Sequence, residues 1–394
     1  MSTAPLDGIV VVALEQAVAA PFATRQLADL GARVIKLERP GSGDFARGYD
    51  AKAAGLSSAF LWLNRGKESV ELDVKSPRGR RLLDALLRRA DVFLHNISPA
   101  AAERLGVDSA TLSSAYPHLI AGSVSGYGTS GPMANAKAYD LLIQGETGLI
   151  SLTGDEDHPA KVGISIADIS AGMYVYSSVL AAIYHRARTG EALTVDVSLF
   201  DSLTEWLLYP MYYTLYGGSR PRRMGTSHAT IAPYGAFRTA DGHQFLLAVQ
   251  NDREWTRFCA EVIRDPDRAV DPRFISQEKR VDNREELDRT IADCLSRLDR
   301  ETLLKRLETA DIAYARLNSI EHLHDHEQLA SRGRWIATGS EVGPLRTVLP
   351  PWVPPGHDGR YGDVPALGEH TEAIYDWLGL DPDEDRFPWA TEES

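Results

Sequence analysis

At 394 residues the chain exceeds what one hydrophobic core ordinarily supports, so it predicts two domains or one domain with a large insertion. Its 43% hydrophobic and 25% charged content fits an ordinary soluble globular protein, and a formal net charge of −13 argues against a nucleic-acid binder, which must neutralise phosphates with Lys and Arg. No secretory-type start, no uncharged run long enough for a bilayer and no cysteine pattern beyond the isolated Cys259 and Cys294 is evident, so a cytoplasmic protein without membrane partner, disulfide framework or zinc site is expected.

The first two hundred residues alternate short β-rich runs with helical runs, the pattern of an α/β domain with a largely parallel sheet. A buried strand is predicted over 9–14, a helix over 22–30 closed by Gly31, and a strand over 34–38. Ser76-Pro77 supplies an N-cap and a first-turn proline for a helix over 78–90, which leads to a strand over 92–96. A strand over 119–125 precedes the loop Gly126-Tyr127-Gly128-Thr129-Ser130-Gly131-Pro132. Asp168 then stands among small and apolar neighbours at the mouth of a helix over 169–188. It reads either as an ordinary N-cap or as a nucleophile that the free N–H groups and the helix dipole keep ionised at neutral pH.

A strand over 193–198 and an amphipathic helix from Leu199 follow. Gly217-Gly218-Ser219-Arg220-Pro221-Arg222-Arg223 reads as a linker to a smaller α+β unit, with a hairpin of 234–239 and 244–249 about Asp241-Gly242 and helices near 252–263, 284–298 and 301–310. The stretch from His326 is too short for a domain and is expected to return to the first. The expected layout is a large domain of 1–216 and 326–394, a small domain of 225–320, and linkers at 217–224 and 321–325.

Several chemistries lack their motifs. A dinucleotide site needs G-x-G-x-x-G between the first strand and helix, where this chain has Leu14-Glu15-Gln16-Ala17-Val18-Ala19-Ala20-Pro21, so that fold is not expected. No P-loop occurs, and Ser125 lacks the flanking glycines of a nucleophile elbow. His322-Leu323-His324-Asp325-His326 has a spacing that makes no ligand face on a helix, and no metal is expected.

In order, Pro5-Leu6-Asp7-Gly8, Leu30-Gly31-Ala32-Arg33-Val34-Ile35-Lys36-Leu37-Glu38-Arg39-Pro40, Gly41-Ser42-Gly43-Asp44, Asn64-Arg65-Gly66-Lys67, Glu71-Leu72-Asp73-Val74-Lys75, Gly126-Tyr127-Gly128, Ala167-Asp168, Asp271-Pro272-Arg273-Phe274 and Leu367-Gly368-Glu369-His370-Thr371 resemble the family III CoA-transferases. The resemblance covers nearly the whole chain and favours the nucleophile reading of Asp168. It implies a large Rossmann-like α/β domain formed by both chain ends, an inserted smaller α+β domain, and a homodimer of interlocked rings. It also implies a mechanism, in which the Asp168 carboxylate attacks an acyl-CoA thioester and passes through an anhydride to an aspartyl-CoA thioester that a carboxylic acid then opens. Acyl-CoA and a small carboxylic acid are then substrates, with no tightly bound cofactor. The CoA contacts implied are Arg39, Leu72, Val74, Lys75, Asn96, Ile97, Arg104, Lys137, Tyr139 and Asp140.

Two departures narrow the substrate. Formyl-CoA transferase has a glutamine where this chain has Val18, which argues against formate and oxalate. The racemase branch uses a His-Asp pair as a proton base, and the corresponding pair here is Tyr139-Asp140, whose phenol has an unperturbed pKa of about 10. A 2-methylacyl-CoA racemase and a non-catalytic CoA-binding protein are the alternatives. The segment 224–234 is similar to members that use dicarboxylic acids, so a succinyl-CoA donor and a dicarboxylic acceptor are expected, with Arg47, Arg222, Arg223 and His228 as candidate cations for the distal carboxylate.

Overall fold

Short strands buried on both faces, each followed by a helix, assemble as a parallel sheet. In the computed structural model, which describes residues 4–357 and 361–381, the strands are β1 (Val10–Leu14), β2 (Arg33–Glu38), β3 (Lys67–Glu71), β4 (Val92–His95), β5 (Ile120–Ser125) and β6 (Val195–Ser198). They pair in the order β3-β2-β1-β4-β5-β6, every pair parallel. This is the strand order of a dinucleotide-binding fold, and it corrects the expectation drawn from the missing glycines. Crossover handedness and strand burial set the order, whereas the glycine fingerprint serves a pyrophosphate. The order reverses between β1 and β4, which opens a crevice beyond their carboxyl ends.

The helices of this part are α1 (Ala19–Asp29), α2 (Ser58–Asn64), α3 (Pro77–Arg89), α4 (Pro99–Leu105), α5 (Ser109–Ala115), α6 (Asp140–Glu146), α7 (Ile166–Thr189) and α8 (Leu199–Trp206). Ser76 caps α3 as predicted, its Oγ accepting the Gly79 N–H at 2.9 Å. Val12, Ile35 and Phe93 of the sheet pack on Leu82 and Leu86 of α3 and on Leu378 of a helix over Thr371–Leu378. On length and composition α7 is long and apolar enough to cross a membrane, contrary to the expectation that no segment qualifies. Here it lies against α1, α6, α8, β5 and β6.

Strand β3 was hidden by its composition, Lys-Glu-Ser-Val-Glu, yet Lys67, Ser69 and Val70 are buried in it. It is an edge strand, and the end of the described chain covers that edge. The Ser69 N–H donates to His370 Nδ1 at 3.3 Å, the Glu71 N–H to Thr371 Oγ1 at 3.1 Å, and the Ser69 carbonyl accepts the His370 N–H at 3.0 Å. Pairing of this kind removes an open template for other chains.

The described chain divides into two compact units. One comprises the residues up to Gly148, Val162–Tyr209 and those from Ala330; the other comprises Leu149–Lys161 and Pro210–Leu329. Leu149–Lys161 thus goes with the second unit, and both expected linkers lie inside it. The Arg223 guanidinium donates to the Asp155 and Glu156 carbonyls and the Gly225 N–H to the Gly154 carbonyl, which ties that excursion to its own unit. In the second unit β7 (Tyr234–Arg238) and β8 (Gln244–Ala248) form the predicted hairpin, and β9 (Ala313–Arg316), not anticipated, pairs antiparallel with β8. Trp255, Phe258, Leu287 and Leu303 from its helices build a separate core against Phe245 and Leu247.

Candidate active site

The crevice at the β1/β4 reversal holds a cavity of about 710 Å³. Of the expected CoA contacts, Arg39, Leu72, Val74, Lys75, Ile97 and Arg104 line it, together with Gln16, Asp44 and Arg80. Arg39 follows β2, Lys75 follows β3 and Arg104 ends α4, so strand and helix termini converge their cations on one opening. Guanidinium and ammonium groups there suit phosphates, and Leu72, Val74 and Ile97 supply an apolar floor for an aromatic base.

Asn96 does not line the cavity. Its Oδ1 accepts the Gln16 N–H at 3.0 Å and its Nδ2 donates to the Gln16 carbonyl at 2.7 Å, so its amide is committed to the turn after β1. Asp44 Oδ1 accepts the N–H of the next residue, Ala17, at 3.0 Å, with φ 61 at Ala17. Side chains therefore hold the turn that glycines shape in dinucleotide folds.

Beneath the turn lies a charge network that the motif reading missed. Glu15 Oε1 is 2.7 Å from Lys67 Nζ and 3.4 Å from Lys36 Nζ, and Lys36 Nζ is 2.9 Å from Asp44 Oδ2, all with side chains 0% exposed. Burial pushes the Glu15 carboxyl up, but the Lys67 and Lys36 charges outweigh it and leave the carboxyl below its ordinary range. Burial brings the Lys67 ammonium down to about 7, against the pull of Glu15 and with the push of Lys36. A lysine at the centre of the apolar run Val34-Ile35-Lys36-Leu37 was the one signal in the sequence, since such a lysine requires a buried partner.

Asp168 lies in the first turn of α7, which starts at Ile166, and is therefore not an N-cap. Ser165 precedes the helix without a side-chain cap bond, and Asp140 at the start of α6 caps it from a distance, Oδ1 accepting the Ala167 N–H at 2.8 Å. Burial pushes the Asp168 carboxyl up to about 7, and the negative charge of Asp140 adds to the effect. Desolvation and the like charge of Asp140 thus work against the ionising effect expected of the helix terminus. Tyr49, whose phenol is pushed up to about 12 by burial and then by Asp44, Asp168 and Tyr139, lies within the electrostatic reach of both the cavity wall and Asp168. Tyr49 and Tyr139 remain 52% and 66% exposed.

A carboxylate that attacks must be ionised, so the rate with the free enzyme is expected to rise with pH through about 7. In Asp140→Asn the like charge is gone and the acid limb should shift to lower pH. Measurement of kcat/KM for the acyl-CoA from pH 5 to 9 checks both; an acid limb unmoved by the substitution would remove Asp140 as the tuning charge.

Other expected residues are placed elsewhere. Val18 is buried directly before α1, and Lys137 is exposed on the loop before α6, outside the cavity lining. Arg47 is withdrawn from the distal-carboxylate cations: it grips both Glu38 oxygens at 2.8 Å and lies 3.8 Å over the Phe60 ring. Arg223 is committed to the two carbonyls already described. His228, in the second unit, has Nδ1 accepting the Thr230 N–H at 3.2 Å and its ring stacked on Tyr234 at 5.3 Å.

The description of CoA-transferase family III matches residues 6–371. The chain is 35% identical over 383 residues to a succinate–glutarate CoA-transferase of Agrobacterium fabrum, covering 94% of each. It is 34% identical over 342 residues to an acetyl-CoA:oxalate CoA-transferase of Acetobacter aceti, covering 86% of this chain and 87% of that one. A crystal structure of a CaiB/BaiF family protein from Brucella suis is similar with a TM-score of 0.83 at 32% identity, covering 96% of this chain and 100% of that one.

Proposed function

The chain belongs to CoA-transferase family III, and we propose that it passes CoA from an acyl-CoA donor such as succinyl-CoA to a small dicarboxylic acid through a thioester on Asp168. The observation that carries this reading is the cavity at the strand reversal, where three expected cations and three expected apolar contacts meet. In the proposed course the Asp168 carboxylate attacks the donor carbonyl, releasing CoA thiolate and forming a mixed anhydride. The thiolate attacks the aspartyl carbonyl and releases the donor acid. The acceptor carboxylate then attacks the aspartyl thioester, the thiolate departs, and its return to the acceptor carbonyl restores the Asp168 carboxylate. CoA esters are substrates here and not a resident cofactor, and a homodimer is the proposed assembly.

The dicarboxylate assignment is supported by glutarate and oxalate in the names of the relatives. Oxalate accordingly belongs among the acceptors to test, Val18 notwithstanding.

The test is a crossed panel of acetyl-CoA and succinyl-CoA with glutarate, itaconate, oxalate and butyrate, read by mass spectrometry of the CoA products. Glutarate is expected to exceed butyrate in kcat/KM by about ten- to a hundredfold, the worth of one charge-assisted hydrogen bond. Equal use of butyrate would remove the dicarboxylate assignment. Solvent deuterium entering Cα of an acyl-CoA with no acceptor present would instead support the racemase reading.

A further inference from the structure

Gln144 lies in α6 with 0% exposure. Core packing alone does not call for a carboxamide there, since Leu or Met fills a similar volume without polar atoms to satisfy. Both ends of this amide are engaged: Nε2 donates to Asp140 Oδ2 at 2.7 Å, and Oε1 accepts the Val162 N–H at 2.9 Å. A carboxylate needs a donor and an N–H needs an acceptor, so the amide has one orientation. Asp140 in turn holds the Ala167 N–H through its other oxygen.

These bonds occupy a particular place in the chain. Gly148 and Val162 are where the backbone leaves and re-enters the first unit. Gln144 precedes the departure, Val162 is the first residue after the return, and Ala167 is the residue before Asp168. Two hydrogen bonds therefore pin 162–167 at both ends, where the local sequence supplies α7 with no side-chain cap.

We propose that Gln144 is a positioning residue, whose buried amide bridges Asp140 and Val162 and so fixes the first turn of α7, and with it the direction of the Asp168 carboxylate. The proposal rests on Asp168 being the nucleophile. The charge that bears on that carboxylate is Asp140 at the start of α6, and Asp168 in turn acts on the Tyr49 phenol, as do Asp44 and Tyr139. A nucleophile displaced by about 1 Å loses on the order of a hundredfold in rate, so a residue that only aims it has a large effect on chemistry and a small one on binding.

Gln144→Met keeps the volume and removes both hydrogen bonds. Its kcat is expected to fall by about ten- to a hundredfold with KM for the acyl-CoA changed by less than about twofold. Gln144→Glu provides the second measurement. The introduced carboxyl accepts from Val162 in either protonation state, but donates to Asp140 only when protonated. The ratio of its kcat to that of the wild type should therefore rise as pH is lowered from 8.5 to 6, the opposite of the fall that a second carboxylate would cause by raising the Asp168 carboxyl further. Wild-type kcat in Gln144→Met overturns the proposal. So does a low, pH-independent ratio in Gln144→Glu, which also decides the matter should Gln144→Met not fold. Undiminished turnover by Asp168→Ala would instead overturn the nucleophile reading on which the proposal rests, so the two failures are told apart.

Discussion

Asp168→Ala is expected to fold, to bind acyl-CoA and to lose transfer activity by about a thousandfold or more, since removing a covalent nucleophile removes the route and not one contact along it. Hydroxylamine added during turnover should modify Asp168 in the wild type and nothing in the variant; modification of another carboxylate would relocate the nucleophile. A stability readout accompanies it. The Asp168 carboxyl is raised to about 7 by burial and by Asp140, so its neutral form favours the native state below the ordinary carboxylate range. That contribution is lost as pH rises through about 7. The alanine variant, with no charge to bury, should therefore gain in Tm relative to the wild type between pH 5 and 8. A constant difference across that range would mean that Asp168 ionises as freely as an exposed carboxylate.

Glu15→Gln should carry the largest cost in stability, about 3–5 kcal/mol in urea unfolding. The carboxylate faces Lys67 at 2.7 Å and Lys36 at 3.4 Å and accepts the Thr24 hydroxyl at 2.7 Å, and its side chain is fully buried. An amide keeps the shape but takes the carboxylate from Lys67, which keeps the Pro21 carbonyl and Asn64 Oδ1, while Lys36 keeps Asp44. Because the Glu15 carboxyl is held low by those lysines, its stabilisation is present above the ordinary carboxylate range and is lost as pH falls through the lowered value. A loss below about 1 kcal/mol would show that the network is neutralised by proton shifts and not by pairing.

What the sequence revealed and what it hid follow one physical division. Strands β1, β2, β4 and β5 were legible because Val, Ile, Leu and Phe declare burial without reference to anything distant. Strand β3 was not, because Lys67 is buried by virtue of Glu15, 52 positions away. The start of α7 was misplaced for the same reason: its cap is Asp140, 27 positions earlier, and no local pattern records that. Resemblance singled out Arg39, Lys75 and Arg104, and all three line one cavity. It could not say that the Asn96 amide turns to Gln16, nor that Arg47, which looks like a free cation, is taken by Glu38. Side chains whose state depends on a single remote partner are the ones a linear reading misjudges.

The cover on β3 has a consequence for the growing chain on the ribosome. Glu15, Lys36 and Lys67 are all synthesised within the first 67 residues, and the six-stranded sheet has all its strands once Ser198 has emerged. The β3 edge, however, waits for His370 and Thr371. Pro210–Leu329, the larger part of the second unit, lies between, so at ordinary elongation rates the nascent sheet spends on the order of ten to thirty seconds with an unpaired strand at its margin. Premature termination within the second unit would make that interval permanent, releasing a sheet that can pair with its neighbours. Chains truncated before His370 should therefore aggregate during synthesis even though the strands and the buried charge network are complete.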